Sequence, residues 1–139
     1  MGRRDVKVEI LKAIPGIERA LSSELRAVAA LVDYVHLQPE TVLACEGDRA
    51  AEGFLIVDGH ICVTSGGRKL AELGAGDFAG EAALLDGGPR SATLTVDGPA
   101  TAFVFEARRF AALREVPTVR DLLLRQLAGR LRTANAAVS

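Results

Sequence analysis

Between Ser91 and Val96 the chain alternates, with Ala92, Leu94 and Val96 on one parity and Ser91, Thr93 and Thr95 on the other, as a half-buried strand does. Short apolar runs at 34–37, 42–45, 54–57, 60–64, 69–73 and 102–106 are separated by turn residues, and Gly66-Gly67 stands where a two-residue hairpin turn belongs. Eleven of the 14 glycines fall between Gly47 and Gly98, which confines this punctuation to the middle of the chain. The flanks follow a helical rhythm. After Ser22 or Ser23, either of which suits an N-cap, Leu25, Val28, Leu31 and Val32 recur at three- and four-residue spacing. Ala107–Leu113 reads as another helix. Pro117 opens a last one, with Val119, Leu123, Leu127, Arg130 and Ala134 along one side, Leu124, Leu127 and Leu131 near it, and Arg120, Arg125, Arg130 and Arg132 on wetter positions. The pattern predicts a mainly β fold with flanking helices in one domain, 1–139. Its parts are an N-terminal helical part at about 14–35, an antiparallel, jelly-roll-like unit over 35–106 and C-terminal helices over 107–139.

Composition narrows the field. A chain of 139 residues with 49% hydrophobic content supports one core and is short for two. A net charge of −1 argues against a nucleic-acid surface, which carries a basic excess. No apolar stretch reaches the length of a signal-peptide core or a membrane span, so the expectation is a soluble, cytoplasmic domain with no membrane in this chain. Cys45 and Cys62 lie in apolar runs without C-x-x-C spacing, and are expected to be small buried hydrophobes in a reducing compartment. His36 and His60 would suit a metal-binding barrel only as part of a larger ligand set, and none assembles around them, so no metal is expected. There is no nucleophile elbow, paired-carboxylate site or P-loop, and the chain reads as a non-enzyme.

The chemistry is concentrated in 78–93, Phe-Ala-Gly-Glu-Ala-Ala-Leu-Leu-Asp-Gly-Gly-Pro-Arg-Ser-Ala-Thr. Gly80 allows close approach to the backbone, and the helix-forming run Glu81–Leu85 would aim free N–H groups of a first turn out of the loop, toward an anion. Arg90 supplies a planar cationic fork, and because it shares the apolar parity of Ala92 and Leu94 its guanidinium should point inward, where it needs an anionic partner. Glu81 would repel an anion but accepts strongly from a hydroxyl, and Ser91 can donate one more bond. A ligand with an anionic end and a hydroxyl end, such as a ribose phosphate, satisfies all three. The simpler alternative is a Glu81–Arg90 salt bridge that only closes the loop.

At these residues the chain resembles the cyclic nucleotide-binding domains of catabolite-activator-type regulators, cyclic nucleotide-gated channels and cAMP-dependent kinase regulatory subunits. Phe78, Gly80, Glu81, Leu84, Leu85, Pro89, Arg90, Ser91, Ala92 and Thr93 follow the order of that family's phosphate-binding cassette. Glu46-Gly47-Asp48, Phe54–Gly59 and Leu73–Phe78 extend the likeness, which covers about 14–131. The resemblance implies a β-roll with a short cassette helix and a C-terminal lid helix. It places Glu81 on the ribose 2′-hydroxyl, Arg90 and Ser91 on the cyclic phosphate, and backbone N–H groups around Gly80–Ala82 beside them. It also implies that Arg130 and Asn135 contact the base, and that Leu84 or Leu85 couples the cassette to the last helix. Ser91 tilts the ligand toward cAMP over cGMP. The last helix would fold over the base, pair with its counterpart in a homodimer, or meet an effector domain. The competing reading is a degenerate β-roll that serves as an interaction or dimerisation domain and binds no nucleotide. The aromatic common after the family's hydrophobic-Pro pair is missing at Ile14-Pro15, and with one Tyr and no Trp an aromatic base lid is not expected.

Overall fold

The structure is a computed structural model that describes the backbone of residues 3–138 and the side chains of residues 6–132. In chain order the elements are α1 (Arg3–Lys12), α2 (Ser22–Ala29), β1 (Asp33–Leu37), β2 (Val42–Ala44), β3 (Glu52–Ser65), β4 (Arg68–Leu73), β5 (Phe78–Ala79), α3 (Glu81–Asp86), β6 (Thr93–Glu106), α4 (Ala107–Leu113) and α5 (Pro117–Val138). The mainly antiparallel β fold with flanking helices is as expected from the pattern.

Two long strands organise the roll. β3 and β6 run antiparallel from Glu52↔Glu106 to Thr64↔Thr93, and each joins two of the short apolar runs. They bend together rather than break. Register shifts flank Asp58, and Gly59 at φ +89° lets the strands touch, since a Cβ there would lie 2.6 Å from Pro99 O. Around this pair the order is β1-β6-β3-β4, with β2 also on β6 and β5 also on β3. The Gly66-Gly67 turn closes the β3–β4 hairpin with both residues at positive φ.

The N-terminal part departs from expectation. α1 lies outside the expected helical span; it docks through buried Leu11, with Val8 and Ile10 packed on the same core, and through Lys7, whose ammonium donates to Ala29 O (3.2 Å), the last residue of α2, and to Val32 O (2.8 Å) beyond it. The helical part does not reach 35, because 33–37 pairs with β6 from Asp33↔Val104 to Leu37↔Ala100. Neither Ser22 nor Ser23 caps α2. Leu21 holds the N-cap position, and the Glu24 carboxylate accepts its N–H at 3.0 Å. The cysteines are not buried: Cys45 is exposed and Cys62, next to fully buried Ile61, is half-buried, and both are free thiols.

Leu25, Val28, Phe110, Leu113, Val119, Leu122 and Leu123 pack with Leu55, Phe78, Phe103 and Phe105, which joins the helices to the roll. A second cluster of Phe54, Ile56, Ile61, Leu94 and Ala102 fills the roll itself. Glu24 also ties α2 to α5, since its other oxygen accepts the Thr118 N–H (2.9 Å) and hydroxyl (2.8 Å). These bonds, the one from Leu21 foremost, hold the Glu24 carboxyl below its ordinary value. A depressed folded value means the bonds stabilise the fold above the unfolded pKa, and that contribution is lost as pH falls through the folded one. The stability gap between wild type and Glu24→Ala, measured by urea unfolding, should therefore be largest at neutral pH and shrink as the pH falls below the ordinary carboxylate value and through the depressed one.

Candidate functional site

Gly80 sits at φ +78° as the N-cap of α3, and Gly87 at φ +72° ends it, its N–H donating to Ala83 O. The chain then returns through Pro89 and Arg90, where Gly47 N–H donates to Arg90 O and Arg90 N–H to Asp48 O, both at 2.8 Å. The Glu46-Gly47-Asp48 turn thus fixes the backbone of Arg90. Glu46 in turn accepts from Ser65 Oγ (2.8 Å) and Gly66 N–H (3.1 Å), which ties this turn to the β3–β4 hairpin.

Arg90 is 6% exposed, the inward placement expected, although β6 begins only at Thr93 and Arg90 precedes the strand rather than sharing its parity. Its guanidinium donates to Gly80 O at 2.8 Å and to Glu52 O. Burial lowers its pKa from the ordinary value, against the raising influence of the Glu52 and Glu81 carboxylates; an arginine nevertheless stays charged at neutral pH. A Cβ on Gly80 would run into Arg90 Nη1, so the close approach this glycine permits is first that of the arginine itself.

Glu81 is 1% exposed. Its partner is Arg130 of α5, not Arg90: Arg130 Nη1 donates to Glu81 Oε1 and Nη2 to Phe78 O at 2.7 Å. The other oxygen, Oε2, is buried without a hydrogen-bond partner among the described residues. One turn earlier on α5, Gln126 Oε1 accepts the Phe78 N–H at 2.9 Å and its Nε2 donates to Gly76 O at 2.7 Å. Sequence reasoning missed Gln126, because a glutamine on a helix carries no periodicity signal; its spacing of four from Arg130 was the available clue.

These groups surround an open cavity of about 880 Å³. Gly80, Glu81, Ala82, Arg90, Ser91 and Arg130 line it, opposite an apolar wall of Val63, Leu70, Ala71 and Leu73. Phe78 does not: its ring is buried against Phe105 and only its backbone faces α5. Of the two candidate couplers, Leu84 packs on the core while Leu85 is exposed. The Asn135 side chain lies outside the described residues. Among the described residues no cluster of His, Cys, Asp or Glu could hold a metal ion, and no helix is long and apolar enough to cross a membrane.

The sequence profile of the cyclic nucleotide-binding domain matches residues 34–116. The chain belongs to the cyclic nucleotide-binding domain family. It is 31% identical over 115 residues to the Pycsar effector protein PaPycTIR of Pseudomonas aeruginosa, covering 81% of this chain and 37% of that protein. It is also 31% identical over 115 residues to the cAMP-dependent protein kinase regulatory subunit of Dictyostelium discoideum, covering 77% of this chain and 33% of that one. The chain thus spans about a third of the length of either relative. The solved cAMP-binding acyltransferase from Mycobacterium smegmatis superposes with a TM-score of 0.76 at 27% identity, over 94% of this chain and 42% of that chain. The matched segment holds Glu81 and Arg90 and ends before Gln126 and Arg130.

A carboxylate as buried as Glu81 is stable only with its cation in place. In a double-mutant cycle of Glu81→Gln and Arg130→Gln, chemical denaturation should report a coupling of about 1–3 kcal/mol. Strict additivity would mean the pair is not formed.

Proposed function

We propose that this domain is a non-enzymatic receptor for a cyclic nucleotide, cAMP in preference to cGMP, acting as one unit over 1–139 that couples phosphate capture to the placement of α5. The observation that carries the reading is one cavity holding both an orphaned, buried carboxylate oxygen, Glu81 Oε2, and a buried guanidinium, Arg90. A ribose 2′-hydroxyl supplies the donor that Oε2 lacks, and the cyclic phosphate supplies the anion for Arg90, assisted by Ser91 and the N–H groups at Gly80–Ala82. The base then lies over the apolar wall of Val63, Leu70 and Leu73, near Arg130 and, farther along α5, Asn135. In this reading Leu84 carries motion of α3 into the core that α5 shares. Ligand shifts α5 only by as much as it prefers one arrangement of that helix over another.

A second reading draws on Leu124 and Leu131, which are 58% and 63% exposed on α5. There the helix meets an effector domain or a second copy, with or without nucleotide.

Isothermal titration with cAMP, cGMP and AMP discriminates the readings. cAMP should bind at micromolar concentration or tighter and ahead of the other two. Arg90→Ala should weaken it by more than tenfold, since truncating a buried charge-assisted pair costs about 2–5 kcal/mol. No heat from any of the three in folded, nucleotide-free protein would overturn the receptor reading in favour of an interaction domain.

A further inference from the structure

The two halves of α5 are attached differently. Val119, Leu122 and Leu123 are buried, and Leu122 packs tightly under Gly16, where a Cβ would come within 2.7 Å of it. Beyond Leu123 no described residue of α5 is fully buried, and Leu124 and Leu131 face outward. Between there and Arg132, Gln126 and Arg130, four residues apart on one face, hold α5 through side-chain hydrogen bonds.

Their common target is the turn Gly76-Asp77-Phe78. One edge of that turn belongs to β3, where Ile56 N–H donates to Asp77 O and Gly76 N–H to Ile56 O. The other edge presents Gly76 O, Phe78 N–H and Phe78 O, and all three are bonded by Gln126 and Arg130. Gln126 matches a donor and an acceptor at once, as a neighbouring strand would. The turn itself is firmly seated. Gly76, at φ +89°, lies against Pro15, so a Cβ there would come within 2.8 Å of Pro15 O.

We infer that Gln126 is a positioning residue: its amide registers α5 on the 76–78 turn and thereby seats Arg130 on Glu81, so that the cassette and the distal half of the helix are held as one body. A side chain with only a donor or only an acceptor makes half of this contact. An apolar one of similar size makes none, and leaves Phe78 N–H and Gly76 O without their partner. The effect on ligand release rests on the cyclic nucleotide reading above; the latch itself does not.

The test therefore has two arms, on the full chain with Gln126→Leu and Gln126→Glu. In nucleotide-free protein, hydrogen exchange at the Phe78 amide should accelerate about tenfold or more in Gln126→Leu. It should recover toward wild type in Gln126→Glu, which keeps the acceptor, while exchange at Ile56, whose bond to Asp77 O lies on the β3 edge of the turn away from α5, stays unchanged in both. An unchanged Phe78 amide in Gln126→Leu overturns the latch. In the second arm, a fluorescent cAMP analogue should leave Gln126→Leu about tenfold faster, with the association rate within about twofold of wild type. Faster Phe78 exchange with an unchanged release rate overturns the claim that Gln126 positions Arg130 for the ligand. If wild type binds no cyclic nucleotide, the receptor reading fails and the exchange arm alone still decides the latch.

Discussion

A small apolar roll that buries a carboxylate and a guanidinium must solve the cost of taking both from water, and the rest of this molecule is arranged around that cost. Glu81 and Arg90 are the buried charged residues among those described. They do not simply neutralise each other. Arg90 spends its donors on the Gly80 and Glu52 carbonyls and Glu81 takes its charge partner from α5, which leaves one carboxylate oxygen orphaned and the arginine without a bonded anion. Two unfinished interactions of opposite kind in one cavity define the ligand that completes them more sharply than the cavity's size does.

Recruiting α5 as the source of the counter-charge has a mechanical consequence. The first half of the helix is held by buried side chains from the same cluster as α2 and α4, and its start is tied to α2 through Glu24 and Thr118. The second half depends on directional polar contacts with the turn and with the cassette that lines the cavity. Apolar burial is diffuse and tolerates small shifts, whereas hydrogen bonds weaken steeply with misalignment. A helix fixed at one end by the first and at the other by the second is suited to respond to the cassette without leaving the domain. That physical asymmetry supports the proposed coupling.

The cassette was legible in the sequence because its chemistry is dense and local: a glycine, a carboxylate and an arginine within eleven residues, with Arg90 buried as expected although β6 begins only at Thr93. The β unit and the last two helices were legible from alternation, glycine placement and Pro117. What escaped was set by distance along the chain. The partner of Glu81 lies 49 residues away, and Gln126 meets a turn about 50 residues before it, contacts that no local period encodes. α1 escaped because six of its ten residues are charged and mask the few that pack, Val8, Ile10 and Leu11, and the α2 cap escaped because a backbone N–H and Glu24 replace the serine side chain. Phe78 opens the cassette motif and was grouped with its ligand-binding residues on that resemblance, yet the structure buries its ring in the core.

The account depends most on Glu81 holding an oxygen for a sugar hydroxyl, and the most direct measurement compares the dissociation constants of cAMP and 2′-deoxy-cAMP for wild type and Glu81→Ala. The account predicts that wild type prefers cAMP by about tenfold or more, in line with a charge-assisted hydrogen bond of roughly 1.5–3 kcal/mol, and that the mutant binds the two alike. Equal preference for cAMP in both proteins would contradict it, because the hydroxyl would then be read elsewhere.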